Sequence, residues 1–184
     1  DVAFSGNGEP TSAAEFAGAV GVVGRVLERF GQQGALMVRL ITNGSLMHRA
    51  DVQSGIRQLG GLGGEVWFKI DRALAEEVAE INGVPWQAAK VARNLEICAG
   101  LAPTWIQTCW FGLDGVAPSA LSRDAYCALL LPLAEKLAGV HLYGLARPSL
   151  QPAAPRLNAL PAAELLDFAG EIEKQTGIRV IVSP

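Results

Sequence analysis

The fold of this chain is decided near its amino terminus, by the stretch Val2-Ala3-Phe4-Ser5-Gly6-Asn7-Gly8-Glu9-Pro10-Thr11. The apolar segment Val2–Phe4 is typical of a buried strand, and a polar, glycine-containing loop follows it. Ser12 with Glu15 three residues later is typical of a capping box, which predicts a helix that runs to about Phe30. The stretch therefore predicts a strand, a loop and a helix in succession.

The same alternation of short apolar runs and helical patterns continues to the end of the chain. The predicted strands are Val2–Phe4, Ala35–Ile41, Glu65–Ile70, Thr104–Phe111, Val140–Leu145 and Ile178–Val182. The later predicted helices are one capped by Asp51, a long one to about Cys98 broken near Gly83-Val84-Pro85, Ser122–Leu137, and one from Pro161 to Gln175. Six strands separated by helical crossovers predict an α/β fold with a parallel sheet, and residues 1–184 are expected to form one domain.

Polar residues are concentrated at the carboxyl ends of the predicted strands, where ligands bind in parallel α/β folds. They are Gly6 to Thr11, Thr42 to Ser45, Lys69 with Asp71, Gln107, and Tyr143 with Arg147. Glycines let a backbone approach a ligand closely, and a carboxylate such as that of Glu9 can bind a ligand ammonium group. The pattern predicts a ligand site at the strand ends.

The composition is typical of a globular protein and argues against a membrane-spanning one. Half of the residues are hydrophobic and 18% are charged, which is typical of a globular chain, and no apolar run is long enough to span a membrane. We therefore expect a cytoplasmic protein without a membrane partner. The net charge of −3 gives no broad cationic surface, which argues against a nucleic-acid partner, although a modified-tRNA substrate stays open.

The three cysteines, Cys98, Cys109 and Cys127, form no pair at a metal-binding spacing. We expect them to be reduced residues of the core, and we expect no metal ligand in this chain.

The loop Gly6-Asn7-Gly8-Glu9-Pro10-Thr11 resembles the Gly-Gly-Glu-Pro motif that follows the second strand of radical SAM enzymes. Asn7 occupies the position where the first glycine of the motif is usual. This form of the motif resembles the one in family members related to wyosine-base synthesis enzymes. In that family the motif binds the amino group of S-adenosylmethionine. The resemblance therefore implies that Gly6, Asn7, Gly8, Glu9 and Pro10 bind this cofactor.

Later segments resemble the following strands of the same family. The resemblance implies that further cofactor contacts come from Thr42, Asn43, Lys69, Asp71, Gln107, Tyr143 and Arg147. Two alternatives stay open on the residues alone. Lys69 and Asp71 could form a local ion pair at a strand end, and Arg147 could bond carbonyl groups of the Pro-rich loop.

The chain departs from the family pattern in one respect. Family members hold a [4Fe–4S] cluster with three cysteines in a CxxxCxxC loop after the first strand, and no cysteine here has that spacing. The resemblance thus implies a partial parallel (β/α) barrel, similar to a TIM barrel, that lacks the first strand and the cluster loop. The start at Asp1 resembles a cut through a fold.

By this resemblance, the full-length protein is an oxidoreductase that cleaves S-adenosylmethionine reductively to a 5′-deoxyadenosyl radical. Its cluster would take electrons from a reductant such as flavodoxin or ferredoxin, whereas the present chain would be inactive. The substrate and the catalytic residues are not indicated.

Two alternatives come from other classes of protein. The chain could be a barrel remnant that only binds a partner, or a (β/α) barrel lyase that uses Lys69 to form a Schiff base. Without a preceding strand, Val2–Phe4 would be an exposed sheet edge, so self-association there is also expected.

Overall fold

Strands and helices alternate through the computed structural model of the chain, which describes residues 1–6, 8–145 and 153–183. The strands are β1 Val2–Phe4, β2 Val38–Thr42, β3 Glu65–Lys69, β4 Thr104–Cys109, β5 Gly112–Leu113, β6 Gly139–Tyr143, β7 Leu157–Asn158 and β8 Val180–Ser183. The α-helices are α1 Phe16–Arg29, α2 Ala50–Gly61, α3 Ala75–Asn82, α4 Ala88–Ala99, α5 Ala120–Leu130 and α6 Ala162–Thr176. Short 3-10 helices cover Pro10–Ser12, Leu131–Lys136 and Ala154–Arg156.

Six strands form a parallel sheet in the order β1-β2-β3-β4-β6-β8. Val2 pairs with Val38 where β1 meets β2, and Thr42 pairs with Phe68 where β2 meets β3. The short strands β5 and β7 form a separate antiparallel pair. The predicted α/β class, the parallel sheet and the alternation with helices are confirmed, whereas the partial barrel stays a prediction.

The predicted capping box at the start of the first helix is wrong. The loop instead forms a 3-10 turn whose N-cap is Glu9, and the Ser12 hydroxyl donates to the Glu9 carbonyl oxygen at 2.7 Å. Glu15 is the N-cap of α1 and makes no side-chain capping bond. The Glu9 carboxylate accepts from the Thr11 amide in this turn, so Glu9 caps the 3-10 helix that follows it.

Other boundaries shift because local hydrogen bonds end a strand or a helix early. Residues 35 and 36 lie in a turn, where both amides donate to the Gln32 carbonyl, so β2 begins only at Val38. Pro132 lacks an amide hydrogen, and α5 gives way to a 3-10 helix at Leu131 instead of continuing to residue 137. The second helix begins at Ala50, not at a cap formed by Asp51.

Three further strand ends also differ from the predictions. Strand β3 ends at Lys69, β4 at Cys109 and β6 at Tyr143, each earlier than predicted. The last strand begins at Val180, because the Thr176 hydroxyl accepts from the Ile178 amide. The predicted break in the long helix is confirmed, since Gly83 ends α3 in the left-handed conformation.

The chain divides into two compact units. Unit 1 comprises Asp1–Lys69, Lys90–Trp105 and Lys136–Ala138, and unit 2 comprises Ile70–Ala89, Ile106–Glu135 and Gly139–Pro184. No helix within the described residues is both long and apolar enough to cross a membrane.

In unit 1, helices α1 and α2 pack at very short range where Gly55 meets α1. A Cβ added at Gly55 would lie 2.6 Å from the Phe16 ring and 3.2 Å from the Ala17 backbone. Val38 and Leu40 of β2 are fully buried, while Arg39 between them is only half-buried. Alternation along the strand thus sends one set of side chains into the helix-covered core.

The core of unit 2 is built on three aromatic rings. Trp110 stacks on Phe168 at a centroid distance of 4.1 Å, and Tyr126 meets both rings edge-on. The buried hydroxyl groups of Tyr126 and Thr108 form a hydrogen bond of 2.6 Å, so the polar end of the tyrosine has a partner in the core. These rings fix the segment after β4 against α5 and α6.

We predict that Gly55→Ala lowers the free energy of unfolding by about 1–3 kcal/mol, because the added methyl group overpacks against Phe16 and the α1 backbone. Gly170→Ala is the matched control, since a Cβ there meets nothing within 4 Å among the described residues. It should leave stability unchanged or raise it by up to about 1 kcal/mol. Urea denaturation measures both variants, and equal effects would contradict the close contact.

Candidate functional site

One carboxylate joins the loops after the first two strands in unit 1. Glu9 Oε1 accepts from the Thr11 amide at 3.1 Å, the Thr11 hydroxyl at 2.7 Å and the Thr42 hydroxyl at 2.7 Å. Glu9 Oε2 accepts from the Asn43 amide at 2.8 Å. Glu9, Thr42 and Asn43, which the sequence analysis predicts as site residues, therefore do lie together.

The loop after β2 is fixed by bonds of its own. The buried Thr42 hydroxyl accepts from the Gly44 amide at 3.0 Å, and Asn43 Oδ1 accepts from the Ser45 amide at 2.9 Å. Gly44 has φ of 70°, and a Cβ there would lie 2.0 Å from the Phe68 ring, so glycine is required at this position. The loop is thus held rigidly beside Glu9.

Asn94 also holds this loop, and the sequence analysis did not single it out. It is a buried residue of α4, and its side-chain amide donates to the Gly44 carbonyl at 2.9 Å. Thr11 is likewise buried and bonded to Glu9 through both its amide and its hydroxyl. An Asn within a helix that otherwise buries apolar residues is the signal that could have identified Asn94, whereas Thr11 belongs to the predicted strand-end group.

The other predicted residues of unit 1 that the structure describes lie near Glu9 in the chain or at the end of β3. Gly6 and Gly8 are exposed, and a Cβ added at either would meet nothing within 4 Å among the described residues. Pro10 opens the 3-10 turn, and Asn7 lies outside the described residues. Lys69 is exposed at the end of β3, one residue beyond Phe68, the partner of Thr42.

Two further predicted residues, Asp71 and Gln107, lie in unit 2 and contact backbone groups near the end of β4. One carboxylate oxygen of Asp71 accepts from the Cys109 amide at 2.8 Å. The Gln107 carbonyl accepts from the Ile70 amide at 3.1 Å, while Gln107 Oε1 is buried and has no hydrogen-bond donor among the described residues. Such an orphaned acceptor is costly unless a ligand or water donates to it.

Tyr143 ends β6, and its carbonyl accepts from the Trp110 amide at 2.9 Å. This bond places the end of β6 beside the segment that follows β4. Arg147 lies outside the described residues, so its predicted role stays a prediction.

Arg72, a residue that the sequence analysis did not single out, fixes the strand ends of unit 2. Its guanidinium is 4% exposed and lies over the rings of Trp110 and Phe111, at 4.2 and 4.7 Å from their centroids. It donates to the carbonyl oxygens of Asp71 and Phe111. Burial lowers the pKa of Arg72, and the charge of Glu77, 3.8 Å away, opposes that shift. We infer a positioning role for this buried cation.

Two of the three cysteines lie in the core, as predicted. Burial raises the pKa of Cys98 to about 12 and that of Cys127 to about 11, so both stay protonated at neutral pH. Cys109 is only half-buried. In the part of the chain that the structure describes, no group of three or more His, Cys, Asp or Glu residues is arranged to hold a metal ion.

No protein-family model and no curated protein matches the chain.

We predict that Thr42→Val lowers the free energy of unfolding by about 1–3 kcal/mol. The substitution removes a donor to Glu9 and leaves the Gly44 amide without its acceptor. Thr42→Ser is the matched control, since it keeps the hydroxyl and should lose less. Chemical denaturation of the two variants measures the difference. If valine and serine cost the same, the hydroxyl does not hold the two loops together.

We also predict that Arg72→Met destabilises the protein by about 2–4 kcal/mol, because two carbonyl groups lose their donor and two rings lose a stacked cation. Arg72→Lys should recover only part of this, since a lysine cannot reproduce the planar, multiply bonded guanidinium. The exposed Arg93 on α4 is the control, and Arg93→Met should leave the unfolding midpoint unchanged. An equally stable Arg72→Met protein would refute the positioning role.

Proposed function

We propose that this chain is the S-adenosylmethionine-binding part of a radical SAM enzyme, a partial (β/α) barrel that is inactive without further residues. The observation that carries the proposal is the position of Glu9, whose carboxylate joins two successive strand-end loops in unit 1. The loop sequence that contains it resembles the family's cofactor-binding motif.

The hydrogen bonds of Glu9 leave acceptor capacity for a ligand. Among the described residues, Oε1 accepts three hydrogen bonds, whereas Oε2 accepts one, from the Asn43 amide. A carboxylate offers about four acceptor sites in all, spread over both oxygens, and Glu9 is only half-buried. Oε2 could therefore take one N–H of a ligand ammonium group, while Oε1 keeps the loop in place.

The glycines beside Glu9 fit the same cofactor. Neither the φ of Gly6 or Gly8 nor any described neighbour requires glycine at these positions, unlike Gly44. Open glycines next to a held carboxylate would let backbone carbonyl groups approach a charged amino group without a Cβ in the way. In unit 2, the orphaned Gln107 Oε1 could accept from a ligand in the same strand-end region of that unit.

S-adenosylmethionine supplies a sulfonium group, and in the family its reductive cleavage gives a 5′-deoxyadenosyl radical. Glu9 and the Gly6–Gly8 backbone would bind and orient its amino group. Thr42 and Asn94 would keep the neighbouring loop in position. The described residues do not fit a [4Fe–4S] cluster, because Cys98 and Cys127 are buried thiols, so no step through the cluster is assigned to this chain.

The lyase alternative receives less support from the structure. Lys69 is exposed, whereas a Schiff-base lysine is activated by desolvation in an apolar pocket or by a nearby cation. A cytoplasmic location and a flavodoxin- or ferredoxin-type reductant for the full-length enzyme remain parts of the proposal. A barrel remnant that binds only a partner is the outcome expected if the cofactor does not bind.

The test is calorimetric titration of the chain with S-adenosylmethionine. We expect saturable binding, and we expect Glu9→Gln and Gly8→Val to weaken it at least tenfold, since each removes or blocks a contact to the amino group. Glu28→Gln, an exposed carboxylate on α1 of the same unit, is the matched control and should bind as the parent chain does.

Two further measurements make the result decisive. Circular dichroism and thermal unfolding check that Gly8→Val is folded, as the open space around Gly8 predicts. S-adenosylhomocysteine, which keeps the amino group, should show the same loss in the Glu9→Gln variant. If the parent chain binds neither nucleoside at millimolar concentration, the proposed function is wrong.

A further inference from the structure

Helix α1 carries an apolar stripe on its solvent side. Phe16, Val20 and Leu27 point into the core, but Val22 is 50% exposed, Val26 48% and Phe30 69%. Solvent-exposed apolar residues are unremarkable when they are scattered, whereas a row spaced by four residues on one helix is typical of an interaction surface.

Two charged residues lie in line with Val22 and Val26, one near each end of α1. At 100° per residue, the side chains of Glu15, Gly18, Val22, Val26 and Arg29 fall within an arc of about 80° on the helix surface. We call these five residues the outer face of α1. All five are exposed, with the carboxylate at the amino end of the helix and the guanidinium at its carboxyl end.

The outer face lies away from the neighbouring helix. Contacts with α2 and the residue that follows it come from another side of α1, where Ala17 faces Gly55, Gly21 faces Gln58 and Gly24 faces Leu62. The strand that precedes α1 is also the first in the order of the sheet, so β1 has β2 as its one strand partner among the described residues. Unit 1 therefore has both an uncovered helix face on α1 and a sheet edge at β1.

We propose that a second copy of this chain docks on the outer face of α1, with the two α1 helices antiparallel about a twofold axis. In that register Val22 meets Val22 of the other copy, Gly18 meets Val26, and Glu15 meets Arg29. The arrangement is self-complementary, as a twofold interface requires.

Charge and shape favour this occupant over an unrelated partner. Each Glu15 gains an Arg29 as its partner, twice per dimer, and neither side chain has an ion-pair partner among the described residues of its own chain. Antiparallel helices also set the positive amino end of one beside the negative carboxyl end of the other. A Cβ at Gly18 would meet nothing within 4 Å in the chain itself, which leaves room for Val26 of the second copy.

Analytical ultracentrifugation over a range of concentrations tests the proposal on the chain as it stands. We expect a monomer–dimer equilibrium, and we expect Val22→Glu to weaken dimerisation at least tenfold, because it sets two carboxylates against each other on the twofold axis. Leu166→Glu is the matched control: Leu166 is a 58% exposed leucine on α6, and this variant should dimerise as the parent chain does.

A charge exchange tests the register. Glu15→Arg and Arg29→Glu should each weaken the dimer severalfold, and the double variant should restore it, which a loss of folding could not do. A parent chain that stays monomeric at hundreds of micromolar would overturn the proposal. So would equal effects of Val22→Glu and Leu166→Glu, or a double charge variant no tighter than either single one. None of these outcomes depends on whether S-adenosylmethionine binds.

Discussion

The carboxylate of Glu9 is the point on which the strand-end geometry of unit 1 depends. It accepts hydrogen bonds from Thr11 in its own loop and from Thr42 and Asn43 after the next strand. Parallel strands leave their carboxyl ends on one edge of the sheet but do not by themselves hold the loops there. One acidic side chain with four donors supplies that constraint, because hydrogen bonds to a charged acceptor are stronger than those to a neutral one.

The same constraint shapes the proposed cofactor site. Among the described residues, Oε2 of Glu9 accepts one hydrogen bond, from the Asn43 amide, and Glu9 is half-buried. The two glycines before it are demanded neither by backbone conformation nor by packing against described residues. Gly44, by contrast, is required by both, since Phe68 lies against it. The glycines of the two neighbouring loops thus differ: Gly44 is required by packing and backbone conformation, whereas Gly6 and Gly8 are not.

In unit 2, a buried cation holds neighbouring strand-end segments together. Arg72 donates to the carbonyl oxygens of Asp71 and Phe111 and stacks on two rings, so a nearly buried side chain holds the segments after β3 and β4 together. Such a guanidinium is stable in the core only because each part of it has a partner. The outer face of α1 is the opposite case: its apolar and charged groups have no described partner within the chain and are arranged to match a second copy.

The amino-acid sequence by itself determined the α/β class, the parallel strands and the helix break at Gly83, because hydrophobic periodicity and glycine conformation are local properties. It also indicated that Glu9, Thr42 and Asn43 belong to one site, since strand ends meet at one edge. Only the tertiary structure decided that Glu9 caps the turn in place of Ser12, that Asn94 holds the Gly44 loop, and that Arg72 is buried between rings. Those contacts join residues up to 50 positions apart in the chain, and local sequence patterns carry no record of such distances.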